Sequence, residues 1–107
     1  MNSDVKEVDL DEAKRIVDST GKKFVWIGGE TRVPVPEILD VSDTQVLAIP
    51  GDEIRHFDSD RLKILKDCVI VCPHGRTSLM IAKYLKGKNI DAYSLKGGIA
   101  GIIGENY

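Results

Sequence analysis

Short apolar runs that alternate with stretches of helical period predict an α/β domain on a mainly parallel sheet, with helices covering both faces. The strand candidates support this, because they are apolar along their whole length, as strands buried on both faces are. At 107 residues the chain has room for a core but none for a separate substrate domain, so residues 1–107 read as a single domain. It contains no internal repeat, low-complexity tract or linker.

Leu10, Ala13, Ile16 and Val17 recur at helical spacing, with Asp9 and Glu12 placed as a capping pair and Gly21 closing the segment. A first helix of about two turns follows from that pattern. Phe24-Val25-Trp26-Ile27, bounded by Lys22-Lys23 and Gly28-Gly29, predicts a buried strand in which Trp26 is a core residue. From Glu30 to Thr44 the chain carries Pro34 and Pro36 and little periodicity, which predicts irregular backbone with one short helical turn near Glu37 to Leu39. Val46-Leu47-Ala48-Ile49, ended by Pro50-Gly51, predicts a second buried strand. Ile54, Phe57, Leu62 and Leu65 then mark two short helices separated at Asp58-Ser59-Asp60. Cys68-Val69-Ile70-Val71-Cys72 is the strongest strand signal. After a loop, Leu79, Ile81, Ala82, Tyr84 and Leu85 mark a helix ended by Gly87. Asp91 to Leu95 predicts a further strand, followed by Gly97-Gly98 and a short last helix.

Composition excludes several function classes. The chain is 42% hydrophobic and 30% charged with a formal charge of -2, so it lacks the basic footprint of a nucleic-acid binder. Met1 to Asp11 has no basic start followed by an apolar run, and no stretch approaches the roughly 18 apolar residues of a membrane span. A cytoplasmic protein is expected, with neither nucleic acid nor membrane as a partner. Cys68 and Cys72 are the two cysteines, and C-V-I-V-C is not the C-x-x-C of zinc or dithiol sites. On one extended strand their four-step separation is about 13 Å, too far to bridge. His56 and His74 are the only imidazoles, and no local spacing assembles a ligand set, so neither metal nor cofactor is expected.

Cys72 stands where its strand ends and a loop-helix begins, the place where ligands bind in open parallel sheets. The helix that follows aims free N–H groups and its positive dipole end at the loop, which favours anions and the thiolate. Gly75 allows loop N–H groups to turn inward around the sulfur as an anion-cradling nest. His74 and Arg76 supply cationic side chains beside it, and Thr77 and Ser78 supply hydroxyl donors. This set suits an anionic sulfur compound: a thiolate takes the outer sulfur of a donor such as thiosulfate, and the cradle holds the resulting persulfide until an acceptor thiol or cyanide removes it.

The segment V-I-V-C-P-H-G-R-T-S, continuing L-M-I-A-K-Y-L-K-G-K-N-I-D-A-Y-S-L-K-G-G-I, resembles the rhodanese domain, most closely the single-domain thiosulfate sulfurtransferases of bacteria. The resemblance runs from about Cys68 to Ile102, and L-A-I-P-G-D-E-I at Leu47 to Ile54 is similar to the family's I-N-I-P-x-x-E-L stretch. It implies a three-layer sandwich, a persulfide carried on Cys72, and a cradle of His74, Gly75, Thr77 and Ser78. It also implies a double-displacement reaction in which a small anionic sulfur donor and a thiol or cyanide acceptor, or a sulfur-accepting protein, are the partners. Arg76 stands one residue before the position where many single-domain members carry their arginine. Three further positions depart from the family pattern: Ile27-Gly28-Gly29-Glu30 replaces I-D-x-R, Ser42 to Val46 replaces H-I-P-G-A, and Ile102 takes the place of a tryptophan.

Two other readings compete. A cysteine-dependent phosphatase or arsenate reductase uses a similar nest, but its C-x5-R signature requires arginine at position 78, where this chain has serine. A non-catalytic binding or regulatory module can retain the fold without the activity. Among single residues, Cys68 reads as core packing, Thr77 or Ser78 as a helix N-cap, and Gly97-Gly98 as a plain turn.

Overall fold

A computed structural model describes residues 5–29 and 33–104. Five strands and six helices follow one another as β1 (Lys6–Val8), α1 (Leu10–Thr20), β2 (Phe24–Trp26), α2 (Val35–Leu39), β3 (Val46–Ala48), α3 (Gly51–Ile54), α4 (Ser59–Leu62), β4 (Val69–Val71), α5 (Arg76–Gly87), β5 (Tyr93–Leu95) and α6 (Gly98–Ile103). Two 3-10 turns, Asp43–Gln45 and Lys63–Leu65, lead into β3 and extend α4. The strands form one sheet in the order β1-β5-β4-β2-β3, and every neighbouring pair is parallel.

Because successive strand side chains point to opposite faces, the sheet divides its apolar residues between two cores. Val25, Ile70 and the flanking Cys68 and Cys72 face α3, α4 and α5, packing with Ile54, Leu62, Ile81 and Leu85. Phe24, Trp26, Val69 and Val71 face the other way, onto Ala13 and Val17 of α1, Leu39 of α2 and Ile99 of α6. The result is the three-layer α/β/α arrangement expected from the continuous apolar strands.

Asp9 caps α1 by accepting the Glu12 N–H at 2.8 Å, and Gly21, at φ 71°, ends it. Between these caps α1 runs for 11 residues, about three turns rather than two. β1 was not anticipated. Its three residues include exposed Lys6 and Glu7 and only Val8 buried, so it carries no apolar run; it exists because Lys6, Glu7 and Val8 pair with Tyr93, Ser94 and Leu95 of β5. β3 corrects the expectation of a buried strand. It lies at the sheet edge with Leu47 38% exposed, and the buried residue of that run is Ile49, just past the strand. Within the stretch read as mostly irregular, Val35–Leu39 is a helix that ends at Asp40, a left-handed residue at φ 62°. Glu30, at the end of the segment replacing I-D-x-R, lies outside the described residues. Ser42 and Gln45, in the segment that replaces H-I-P-G-A, form a reciprocal capping box on the first 3-10 turn. Ile102 is half-buried against the α1/α2/α6 core.

Candidate active site

Cys72 follows the last residue of β4 at the carboxyl edge of the sheet, and its side chain turns back under the start of α5. Its Sγ accepts the backbone N–H of Gly75 at 3.0 Å and that of Ser78 at 3.2 Å. Helix starts leave several N–H groups without partners, and a side-chain oxygen at the N-cap commonly takes one. The N-cap of α5 is Gly75, which has no side chain to do so. The sulfur of Cys72 fills that role, so the cysteine is tied to the helix terminus by two donors rather than placed near it. Ser78 is therefore inside the first turn and is not the N-cap, and Thr77 is not either.

Behind the sulfur lies a buried hydroxyl pair. Ser78 Oγ is 3.4 Å from Cys72 Sγ and 2.7 Å from Ser94 Oγ, and Ser78 and Ser94 are both fully buried. A neutral thiol donates to Ser78; an anionic sulfur instead accepts from Ser78, whose oxygen then accepts from Ser94. The pair can satisfy either charge state without leaving a buried polar atom unpaired. Ser94 is the central residue of β5 and was not singled out from the sequence. A serine inside the otherwise apolar Tyr93-Ser94-Leu95 run was the available signal.

Gly97 and Gly98 do more than turn the chain. α6 begins at Gly98, and its Ile99 and Ala100 N–H groups donate to the carbonyls of Cys72 at 3.1 Å and Pro73 at 2.8 Å. Gly98 sits at φ 62°, and a Cβ there would lie 2.7 Å from Gly75 N and from Pro73 C, and in contact with Cys72 O. On Gly75, at φ 88°, a Cβ would lie 2.8 Å from Gly97 N. Two glycines facing each other thus let the cysteine loop and the α6 turn pack backbone to backbone.

The structure brings Cys72, Gly75 and Ser78 together and leaves His74, Arg76 and Thr77 exposed on the outer side of the loop. Thr77 lines one end of a groove of about 500 Å³ between α5 and the Gly51–Arg55 segment, with Met80 and Tyr84 on one wall and Asp52 and Arg55 on the other. Ser78, fully buried, occupies the place a C-x5-R arginine would need. Cys68 is separate from this site: its Sγ donates to the Ile64 carbonyl at 3.4 Å, and burial pushes its thiol pKa up. Both cysteines are free. No three potential metal ligands gather among the described residues, and no described helix is long and apolar enough to cross a membrane.

No family model matches the chain. A tRNA sulfurtransferase from Desulfurococcus amylolyticus is 41% identical over 54 residues, which is 50% of this chain and 11% of that protein. The solved structure of a rhodanese-like domain protein from Staphylococcus aureus superposes with a TM-score of 0.65 at 24% identity, covering 94% of this chain and 92% of the other. A rhodanese homolog from Thermus thermophilus gives a TM-score of 0.61 at 21% identity over 88% of this chain and 96% of the other. A rhodanese-related protein from Thermoplasma volcanium gives 0.60 at 20% identity over 95% and 94%. With five parallel strands, helices on both faces and these neighbours matched nearly end to end, the chain is a rhodanese-like domain in its fold.

Proposed function

We propose that the protein is a sulfurtransferase that moves sulfane sulfur from a thiosulfate-like donor to a thiol or cyanide acceptor through a persulfide on Cys72. The observation that carries this reading is the pair of N–H donors from Gly75 and Ser78 on Cys72 Sγ, at a helix start with no other cap. Anionic sulfur needs preorganised donors in a site that excludes water, and Cys72 is 1% exposed. The match to a protein named as a tRNA sulfurtransferase supports the same chemistry.

In the first half-reaction the Cys72 thiolate attacks the outer sulfur of thiosulfate. The donor's S–S bond breaks, sulfite leaves with the electron pair, and Cys72 holds one extra sulfur. In the second, an acceptor thiolate or cyanide attacks that outer sulfur, and the bonding pair returns to Cys72 as thiolate. Gly75 and Ser78 N–H groups steady the anionic sulfur at both ends of the cycle, and the Ser78 hydroxyl, backed by Ser94, reorients with its charge. His74, Arg76 and Thr77 meet the incoming anion on the exposed side of the loop. The proposed setting is the cytoplasm, where such thiols stay reduced.

Incubation of the protein with thiosulfate, followed by intact mass measurement, tests the proposal. The expected result is one added sulfur on Cys72, released by cyanide as thiocyanate and absent in Cys72→Ser. A wild-type protein that gains no cyanide-labile sulfur, or a Cys72→Ser variant with full turnover, refutes it; turnover of an aryl phosphate would instead support the phosphatase reading.

A further inference from the structure

The groove that begins at Thr77 does not end at Tyr84. A second depression of about 580 Å³ adjoins it, sharing Arg55 and Tyr84, and carries it past Leu62 to Lys88 and Ile90. The two together follow one face of α5, where Thr77, Tyr84 and Lys88 succeed one another, for about 15 Å between Thr77 and Gly87 at about 1.5 Å per residue. An extended peptide rises about 3.3 Å per residue, so about five residues would span it.

The groove's chemistry is uneven along its length. Asp52 lies at the end near the cysteine loop, whereas the far end is lined by Lys63, Lys66 and Lys88 with Arg55 at the junction and no carboxylate. The salt bridges among the described residues are Lys14–Asp40 and Lys86–Asp91, so none of these four cations makes a salt bridge, and Lys66 alone of them attracts the Asp91 carboxylate from a distance. On a chain of net charge -2, a local excess of unpaired cations is a site of attraction for anionic groups. The floor is aliphatic, with Leu62 and Ile90 among its lining, and Met80, on the wall nearer the cysteine loop, is 68% exposed. Exposed methionine and arginine around an apolar floor is the composition of a protein-binding patch.

The aromatic rings point away from a nucleic acid. Phe57 is buried with the Arg61 guanidinium 4.1 Å over its ring, and Lys88 Nζ lies 5.6 Å over the half-buried Tyr84. Neither presents the free face on which a base would stack. From the unpaired cations, the apolar floor and the covered rings, we infer that this groove docks an extended acidic segment of a partner protein, apolar side chains down and carboxylates toward Lys63, Lys66 and Lys88, with one end beside the Cys72 loop. The docking does not depend on sulfur chemistry, so its test uses protein that cannot perform it.

In Cys72→Ser protein, fluorescence anisotropy is measured with a labelled eight-residue peptide of alternating Glu and Leu, and with an eight-residue oligouridylate. The peptide is expected to bind, with amide chemical-shift changes confined to residues 51–66 and 76–90. The double variant Lys63→Glu/Lys66→Glu, shown folded by an unchanged melting curve, is expected to weaken it roughly tenfold or more, while Lys83→Glu, an exposed lysine of α5 outside the groove, leaves it within about twofold. Equal weakening by Lys83→Glu, an oligouridylate that binds as tightly as the peptide, or no peptide binding at millimolar concentration each overturns the inference.

Discussion

Replacing Gly98 and Gly21 with alanine, one at a time, isolates the close approach that holds the cysteine loop. Both glycines have left-handed backbone, at φ 62° and φ 71°, so each alanine incurs the same conformational cost of about 1–2 kcal/mol. Their surroundings differ. A Cβ on Gly21 meets nothing within 4 Å, whereas on Gly98 it would lie 2.7 Å from Gly75 N and Pro73 C, both backbone atoms that no side-chain rotation can clear. Forcing the loop and the α6 turn apart adds about 1–3 kcal/mol, as other overpacked sites do. In a domain of this size each kcal/mol lowers Tm by about 4–8 °C, so Gly98→Ala should melt at least about 4 °C below Gly21→Ala. Urea titration monitored by Trp26 fluorescence should give the same ranking. At a temperature where both variants are folded, Gly98→Ala should also take up sulfur from thiosulfate more slowly, because the atoms it displaces include the Gly75 N–H that donates to Cys72 Sγ. Equal stability of the two variants would refute the backbone-to-backbone packing.

Further outcomes follow from the same contacts. Ser94→Ala leaves the buried Ser78 hydroxyl without its 2.7 Å partner and should cost about 1–3 kcal/mol by denaturant titration, with slower sulfur loading on Cys72; undiminished stability would contradict the hydroxyl pair. Burial raises the Cys68 pKa above its ordinary 9.0, so the unfolded chain ionises this thiol first. Stability from this source is complete below that pH and falls as pH rises through the folded value; Cys68→Ala should lose that alkaline decline, whose slope is at most about 1.4 kcal/mol per pH unit. Sulfur loading on Cys72 should survive the same substitution. Asp91, hydrogen-bonded and attracted by Lys86 at 2.9 Å, has its pKa lowered from 3.8, so its contribution is present above that pH and is lost as pH falls through the folded value. In Lys86→Met, NMR titration of the Asp91 carboxyl should move up toward 3.8.

Where a residue's role depends on its neighbours along the chain, the sequence revealed it. The apolar runs around Phe24 and Val69 marked the central strands because burial on both faces demands apolar side chains at every position. Asp9 and Gly21 marked helix ends because capping and left-handed backbone are local requirements. Cys72 stood out for the same reason, at a strand end with a glycine three residues on. Roles set by contacts between distant segments were not legible. Lys6-Glu7-Val8 became a strand because β5 lies beside it, and Leu47 stayed exposed because β3 is an edge strand of the sheet. Ser94 joined the site only when β5 was set next to β4, and Gly98 mattered only once α6 had been laid against the cysteine loop. Of the loop residues chosen by type, Ser78 went under the sulfur while His74, Arg76 and Thr77 went outward. Local chemistry therefore named the sulfur and the helix that crowns it, and tertiary packing chose which groups stand behind it and where the groove beside it leads, because hydrogen bonds and close contacts between remote segments exist only after the sheet has assembled.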